Sequence, residues 1–314
     1  MKQISFVIPV YNGAQMVEAL YERLVPIARS IGTFEIIFVD DGSSDGSFSV
    51  LKKLHARDPR VCAVELSRNF GQHNATLAGL SCAEGEIIIT LDQDLQNPPE
   101  EIPRLVQKLS EGFDVVYGLP EERAHNFFRN MTSDFSKWIS GKILSTSVHG
   151  NFSSFRALRK WVVDEVVKYR SSYTYIDGLI SWTTINVGAV VVRNDRSDFE
   201  SHYTLLRLIN HGLNLLVNFS IRPLQIASLL GALSALLGLL GAVIVIVEKI
   251  LFGVPVQGWT SLMVVVLVIG GMQMAFLGLI GEYTGRLLMN SNSSPKFIIR
   301  EIRRKTTGNG KKRK

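Results

Sequence analysis

Cysteine is nearly absent: 314 residues contain only Cys62 and Cys82. That excludes a disulfide-built scaffold, and without zinc-type Cys/His spacing both thiols read as small buried hydrophobes. Glycine-rich phosphate loops are also missing. The first strand-like run ends in Val10-Tyr11-Asn12-Gly13-Ala14 rather than G-x-G-x-x-G, and no G-x-x-x-x-G-K-[ST] occurs. Dinucleotide redox chemistry and P-loop phosphoryl transfer are therefore disfavoured. No secretory signal is recognisable either. One Lys precedes only the short apolar run Ile4–Val10, and no small-residue cleavage site follows. The amino terminus is expected in the cytoplasm.

Charge is absent from two long stretches, the 25 residues Pro223–Val247 and the 31 residues Leu251–Gly281. Each is long enough to cross a hydrocarbon core of about 30 Å as a helix rising ~1.5 Å per residue. Neither shows the polar stripe of a soluble helix, so both are expected to span a membrane. Gly231, Gly238, Gly241, Gly270 and Gly271 would permit close helix contact. The connection Glu248–Gly258 holds one basic residue, Lys249, whereas Arg207, Arg222 and a basic tail lie on the other side. That asymmetry puts both termini in the cytoplasm, at an inner or plasma membrane.

The tail carries most of the charge. From Arg286 onward there are ten Lys/Arg against Glu301, a local +9 that leaves −3 of the chain's +6 for the other 285 residues. Attraction to anionic lipid explains such a tail, at about 1 kcal/mol per basic residue near the surface. Nucleic-acid binding is not expected, because aromatic or base-reading features are absent. Tyr203–Ile221 places Leu205, Leu206, Ile209, Leu213, Leu216 and Val217 at helical spacing, as an interfacial helix would. Phe297-Ile298-Ile299, among basic residues, is expected to lie at the interface as well. The resulting division is a catalytic domain over 1–200, an interfacial helix over 201–222, a two-helix transmembrane hairpin over 223–281 and a basic juxtamembrane tail over 282–314.

Residues 1–200 alternate as an α/β fold does. Apolar, β-branched runs at Ile4–Val10, Glu35–Asp40, Val61–Leu66, Ile87–Leu91 and Val115–Tyr117 predict buried parallel strands, with Val187–Val192 a further one. Between them Met16, Leu20, Leu24, Ile27 and Ile31 fall on one helical face, and Ser44–His55, His73–Cys82 and Pro99–Glu111 predict three more helices.

Polar residues gather where these strands end: Tyr11 and Asn12, then Asp40, Asp41 and Ser43, then Arg68 and Asn69, then Asp92 and Asp94. Ligands of open parallel sheets bind outside the carboxyl ends of the strands. With no phosphate loop, the remaining device for a diphosphate is a metal held by carboxylates. Asp92-Gln93-Asp94 supplies one, because residues i and i+2 of an extended segment face the same side. Mg²⁺ or Mn²⁺ takes one or two carboxylates together with water and phosphate oxygens. Asp40 and Asp41 would suit a pyrimidine base and its ribose, whose donors carboxylates accept.

The residues so placed resemble family 2 glycosyltransferases of the GT-A fold, a Rossmann-like, mostly parallel sheet. The matching elements are Phe6-Val7-Ile8-Pro9-Val10-Tyr11-Asn12, Val39-Asp40-Asp41-Gly42-Ser43-Ser44-Asp45, Ser67-Arg68-Asn69-Phe70-Gly71 and Leu91-Asp92-Gln93-Asp94-Leu95-Gln96. Within that family the chain is similar to the polyprenyl-phosphate glycosyltransferases, the group with the dolichyl-phosphate mannose synthases. Asp94-Leu95-Gln96-Asn97-Pro98-Pro99-Glu100-Glu101-Ile102-Pro103, Arg196 followed by Glu200-Ser201-His202-Tyr203, and Gly278-Leu279-Ile280-Gly281-Glu282-Tyr283-Thr284-Gly285-Arg286 carry that narrower match.

The resemblance implies transfer of one sugar from a nucleotide diphosphate donor, a UDP-sugar by preference, to undecaprenyl or another polyprenyl phosphate, with inversion. It implies a nucleotide site of Pro9, Tyr11, Asn12, Asp40, Asp41, Asp92 and Gln93, and a metal on Asp94 with Asp92 beside it. Arg123, Arg129 and Arg156 would meet the acceptor phosphate, and Arg196, Ser201 and His202 would close over the donor diphosphate. A homotetramer, as in some relatives, is compatible with it.

Four positions depart from the family pattern. Gly13 replaces a usual Glu, His202 a usual Lys, and Pro120 stands where an arginine is common. Asn151 opens Asn151-Phe152-Ser153-Ser154-Phe155-Arg156 where the family has Asp, a proposed base. A phosphate monoester has its second pKa near ~6, so the acceptor is largely dianionic without a base, and Asn151 could orient it. Sugar recognition is expected from residues 118–156. Two other readings remain: a non-catalytic nucleotide-sugar-binding scaffold, and a processive polysaccharide synthase, which the missing Gln-x-x-Arg-Trp motif disfavours.

Overall fold

The computed structural model describes residues 3–120, 153–169, 174–193, 222–252, 258–291 and 295–305. The chain divides into two compact units, Met1–Tyr203 with Ser293–Lys314, and Thr204–Asn292.

The first unit is built on one sheet with the strand order β7-β5-β6-β4-β1-β2-β3-β8. Its strands are β1 (Gln3–Val10), β2 (Thr33–Asp40), β3 (Val61–Leu66), β4 (Ile87–Thr90), β5 (Val115–Pro120), β6 (Arg156–Arg159), β7 (Val187–Val192) and β8 (Ile299–Arg303). The near-continuous apolar runs of β1 and β2 are buried after their first residue, as expected when helices cover both faces of a parallel sheet. One face carries α1 (Val17–Ile31), α2 (Ser47–Arg57) and α4 (Ile102–Ser110). The other carries α3 (Gln72–Cys82), α5 (Lys160–Lys168) and α6 (Ile176–Thr183). Residues Val17, Leu20, Tyr21, Leu24, Val25 and Ala28 of α1 are buried at helical spacing.

All six strands expected from the sequence are present and run in one direction. Two further strands are antiparallel. Strand β6 is inserted between β4 and β5, and its register aligns Thr90, Arg156 and Tyr117 side by side across three strands. Strand β8 pairs antiparallel with β3, through Ala63↔Arg303 and Glu65↔Glu301. This corrects the expectation for Phe297-Ile298-Ile299. Instead of an interfacial segment, the chain here begins an edge strand, and Phe297 and Ile299 pack against the core. Arg304 then closes the edge. Its guanidinium pairs with Glu35 at 2.5 Å and Glu84 at 3.1 Å, and donates to the Cys82 carbonyl at 3.0 Å.

The second unit holds two long helices, α7 (Arg222–Phe252, 31 residues) and α8 (Trp259–Ser291, 33 residues). They pack antiparallel, with Ser234 Oγ 3.5 Å from Met272 Sδ. Gly231 lies at that contact, where a Cβ would meet Phe276 at 3.6 Å, whereas a Cβ on Gly238, Gly241, Gly270 or Gly271 would meet nothing within 4 Å among the described residues. Leu229, Leu236, Ile244, Val266 and Leu277 are more than half exposed. Among the described residues, no helix is long and apolar enough to cross a membrane.

Candidate active site

The carboxyl ends of β1, β2, β3 and β4 meet in a cluster of loops held together by side chains. Asn12, at the left-handed φ of 49°, donates its backbone N–H to Ser43 Oγ at 3.0 Å, and its Oδ1 accepts from the Ser44 N–H at 3.0 Å. The Ala14 N–H donates to Asp45 Oδ2 at 3.0 Å and the Gly13 N–H to Ser47 Oγ at 3.0 Å. The loops after β1 and β2 are thus fastened to each other, and Asn12 is committed to that junction.

The two aspartates ending β2 behave differently. Asp41 accepts the Phe70 and Gly71 N–H groups, one on each oxygen, at 2.7 and 2.8 Å. It therefore holds the loop after β3. At Gly42, with φ +68°, a Cβ would come within 2.5 Å of the Arg68 backbone, so this junction requires glycine. Asp40 is 1% exposed; its Oδ2 accepts the Ser43 N–H at 3.2 Å, but its Oδ1 is buried without a partner among the described residues. Burial raises the Asp40 carboxyl above its ordinary range. Such an orphaned acceptor is costly unless a ligand donor completes it.

Past β4, Asp92 is held on both oxygens: Gln72 Nε2 donates to Oδ1 at 2.6 Å and Ser154 Oγ to Oδ2 at 2.5 Å. Burial pushes its carboxyl up, and the Asp94 charge beside it adds to that. Asp94 is half-buried; its Oδ1 accepts the Gln96 N–H at 3.1 Å, and its Oδ2 has no hydrogen bond among the described residues. Leu95 between them takes φ +60°, a left-handed conformation that costs a branched apolar residue about 1–3 kcal/mol. Strain of this kind needs support from its surroundings, and here it turns Asp94 back over its own loop.

Gln93, the middle residue, braces the site from behind. Its Oε1 accepts the Tyr11 N–H at 3.1 Å and its Nε2 donates to the Tyr11 carbonyl at 2.9 Å. A Cβ on Gly13 would come within 2.2 Å of Gln93 Oε1. The departure at Gly13 is thereby explained: the space of a side chain at 13 is filled by the Gln93 amide.

Among the described residues, no group of three His, Cys, Asp or Glu gathers to hold a cation. The donors present still suit Mg²⁺ or Mn²⁺. Asp94 offers an unbonded carboxylate oxygen, with Asp92 adjacent, and such ions take most of their coordination from water and substrate phosphates.

Beside Asp92 opens a cavity of about 310 Å³, lined by Gln72, His73 and Thr76 of α3, Thr90 and Asp92, Ser153, Ser154 and Arg156, and Tyr175 and Asp177. Arg156 is 2% exposed. It donates from Nε to Thr90 Oγ1 at 3.1 Å and from Nη1 to Asp177 Oδ1, which also accepts the Tyr117 hydroxyl at 3.0 Å. Its charge is matched inside the fold, so Arg156 frames the cavity rather than standing free for an acceptor phosphate. A second cavity of about 410 Å³, at the end of β3, is lined by Arg68, Asn69, Phe70, Gly71, Asn74, Pro295 and Lys296.

The structure therefore brings Pro9, Tyr11, Asn12, Asp40, Asp41, Asp92, Gln93, Asp94 and Arg156 to one end of the sheet. Arg123, Arg129, Asn151, Arg196, Ser201 and His202 lie outside the described residues. Sequence reasoning missed Gln72, Ser154 and Asp177. Only the polar start of Gln72-His73-Asn74 and the serine pair Ser153-Ser154 marked two of them.

Comparison with known proteins agrees with this geometry. The model of glycosyl transferase family 2 matches residues 5–167. An undecaprenyl-phosphate 4-deoxy-4-formamido-L-arabinose transferase of Proteus mirabilis is 34% identical over 307 residues, covering 96% of this chain and 94% of the relative. That of Pectobacterium atrosepticum is 36% identical over the same shares. A glucosyl-3-phosphoglycerate synthase from Mycobacterium tuberculosis, solved with Mn²⁺, UDP and glucosyl-3-phosphoglycerate, superposes with a TM-score of 0.50 at 17% identity. The match covers 69% of this chain and 78% of that one.

Proposed function

Because the chain belongs to glycosyl transferase family 2, we propose that it transfers one sugar from a nucleoside diphosphate donor to a polyprenyl phosphate such as undecaprenyl phosphate. The observation that carries this is a pair of incomplete acceptors at the ends of two strands on either side of β1. Among the described residues, Asp40 Oδ1 is buried without a donor and Asp94 Oδ2 is unbonded. The ends of β2 and β4 flank β1, roughly 10 Å apart at ~4.8 Å per strand, a span suited to a nucleoside with its diphosphate.

Asp40 accepts a donor from the nucleoside. Tyr11, whose backbone is held by Gln93, stands at the end of β1 between them. Asp94 holds the divalent cation, with Asp92 fixed alongside by Gln72 and Ser154. Bound there, Mg²⁺ or Mn²⁺ acts as a Lewis acid on the diphosphate leaving group. The acceptor is a phosphate monoester, largely dianionic at neutral pH. One of its oxygens forms the new bond to the anomeric carbon as the bond to the donor's diphosphate oxygen breaks, with inversion. Asn151, Arg123 and Arg129 orient the acceptor, and Arg196, Ser201 and His202 cover the donor diphosphate.

The two helices serve this acceptor. Their charge-free runs of 25 and 31 residues and their exposed leucines, valines and isoleucines suit a bilayer, and the Lys/Arg asymmetry supports a catalytic unit on the cytoplasmic face. Released nucleoside diphosphate, measured with UDP-sugars, Mn²⁺ and undecaprenyl phosphate, tests the reading. Asp94→Ala is expected to lower that release by about 10²-fold or more. Undiminished release by Asp94→Ala would refute it, and digestion of the catalytic unit by protease added to intact cells would refute the topology.

A further inference from the structure

The cavity of about 410 Å³ at the end of β3 stands apart from the residues assigned to sugar transfer. In the order β4-β1-β2-β3 it lies three strands from the end of β4, roughly 14 Å at ~4.8 Å per strand. Its volume falls within the range of about 300 to 1,000 Å³ usual for small ligands.

The lining carries two cations, Arg68 and Lys296, and no acid. Asp41, which holds the same loop, spends both oxygens on the Phe70 and Gly71 N–H groups. Arg68 lies over the Phe70 ring, 4.4 Å from its centroid, and Lys296 Nζ donates to the Tyr169 carbonyl. Among the described residues neither cation is paired with a carboxylate. Lys296 is half-buried, and burial pushes its ammonium below the ordinary lysine range. A partly desolvated cation with only a carbonyl for partner is completed by an anion.

Asn74 adds a different demand. Its Nδ2 donates to the Phe70 carbonyl at 2.8 Å, which fixes the amide, and its Oδ1 is buried without a partner among the described residues. Such an oxygen takes a hydroxyl or an N–H. Two unpaired cations and an open acceptor at one cavity fit a phosphate ester that also carries a hydroxyl.

The surroundings favour a lipid as its source. Lys296 belongs to the basic segment that begins at Arg286, just past the charge-free run Leu251–Gly281. Tyr169, whose carbonyl Lys296 holds, is 42% exposed and meets Trp182, 50% exposed, with ring centroids 5.2 Å apart. Exposed Tyr and Trp settle at the headgroup level of a bilayer.

We propose that this cavity binds the headgroup of an anionic phospholipid, with Arg68 and Lys296 on its phosphate and Asn74 on a headgroup hydroxyl. It is a lipid site separate from those of the donor and the acceptor. The inference rests on the bilayer reading of the two helices, whose own test, protease on intact cells, is independent of binding in detergent.

Equilibrium titration of the full-length protein in non-ionic detergent tests it with dioctanoyl phosphatidylglycerol, dioctanoyl phosphatidylcholine and glycerol 3-phosphate. The wild type is expected to bind the phosphatidylglycerol about tenfold or more tighter than either other probe. Lys296→Gln and Arg68→Gln should each weaken it about tenfold, and Lys296→Arg should restore most of the loss. Lys311→Gln with Lys312→Gln, which lowers the tail charge equally or more, should change it by about twofold or less. UDP affinity should be unchanged in Lys296→Gln. Equal binding of the two lipids, or full binding by Lys296→Gln and Arg68→Gln, overturns the proposal. So does an equal loss in the tail variant, which would make the attraction one of general charge. Glycerol 3-phosphate bound as tightly as the lipid would assign the cavity to a soluble ester, and a parallel loss of UDP in Lys296→Gln would assign it to the donor; either overturns the lipid site.

Discussion

Replacing Gly13 by alanine tests the innermost brace of the site. The added Cβ would lie 2.2 Å from Gln93 Oε1 and 2.7 Å from its Cδ, so the amide must leave. Leaving breaks both hydrogen bonds to Tyr11, at 3.1 and 2.9 Å. At roughly 0.5–1.5 kcal/mol net for each bond, in a partly exposed setting, the loss is about 1–2 kcal/mol. Gln93→Ala removes the same two bonds and should cost about as much. The double variant has no amide left to displace, so its loss should match either single change rather than their sum, a coupling of about 1–2 kcal/mol. Thermal unfolding of the detergent-solubilised protein gives the three shifts, and UDP affinity gives the effect on the Tyr11 loop. Additive losses would show that Gly13 and Gln93 act independently and would refute the explanation of this glycine.

Asp40→Asn is expected to raise Tm while weakening UDP binding, because a buried charge with one orphaned oxygen is removed from a position that a ligand completes; Asp41→Asn is expected to lower Tm, since both oxygens hold backbone N–H groups. Asp58 makes stability depend on acid. Burial works to raise its carboxyl, but hydrogen bonds from Arg60 and Tyr21 outweigh this and lower it to about 2. A depressed native pKa stabilises above the unfolded value near ~3.9 and is lost as pH falls toward 2, so about 2 kcal/mol should disappear across that window in wild type but not in Asp58→Asn. Arg304→Ala should cost about 2 kcal/mol by leaving Glu35, 9% exposed, without its cation, and an unchanged Tm would contradict the closure of the sheet edge.

Which parts were legible follows from their physics. Strands β1 to β5 announce themselves as apolar runs because both faces are covered, and their polar ends follow directly. Strand β6 does not: Arg156-Ala157-Leu158-Arg159 is four residues bounded by arginines, and Arg156 is tolerated only because Thr90, Tyr117 and Asp177 satisfy it. Strand β8 hides in its charge. Ile299-Arg300-Glu301-Ile302-Arg303 is an edge strand with mostly exposed side chains, so its composition matches a solvated tail. Within the site, Asp92, Gln93 and Asp94 are adjacent in sequence and readable as a unit. Gln72, Ser154 and Asp177 converge on the cavity from three separate elements, and no local pattern records that meeting. Asp41 looked equivalent to Asp40 because their difference lies entirely in the loop after β3 that only one of them holds.

The position of β8 sets an order on how the chain is made. Between Val192 and Ile299 the ribosome must add the whole two-helix unit before the last strand exists. At about 5–20 residues per second that interval lasts roughly 5–20 s. During it, β3 presents an unpaired edge on a nascent domain. The catalytic sheet is therefore completed only after the hairpin has been synthesised, and a message truncated before codon 299 yields a domain with an open, self-associating border instead of a smaller enzyme.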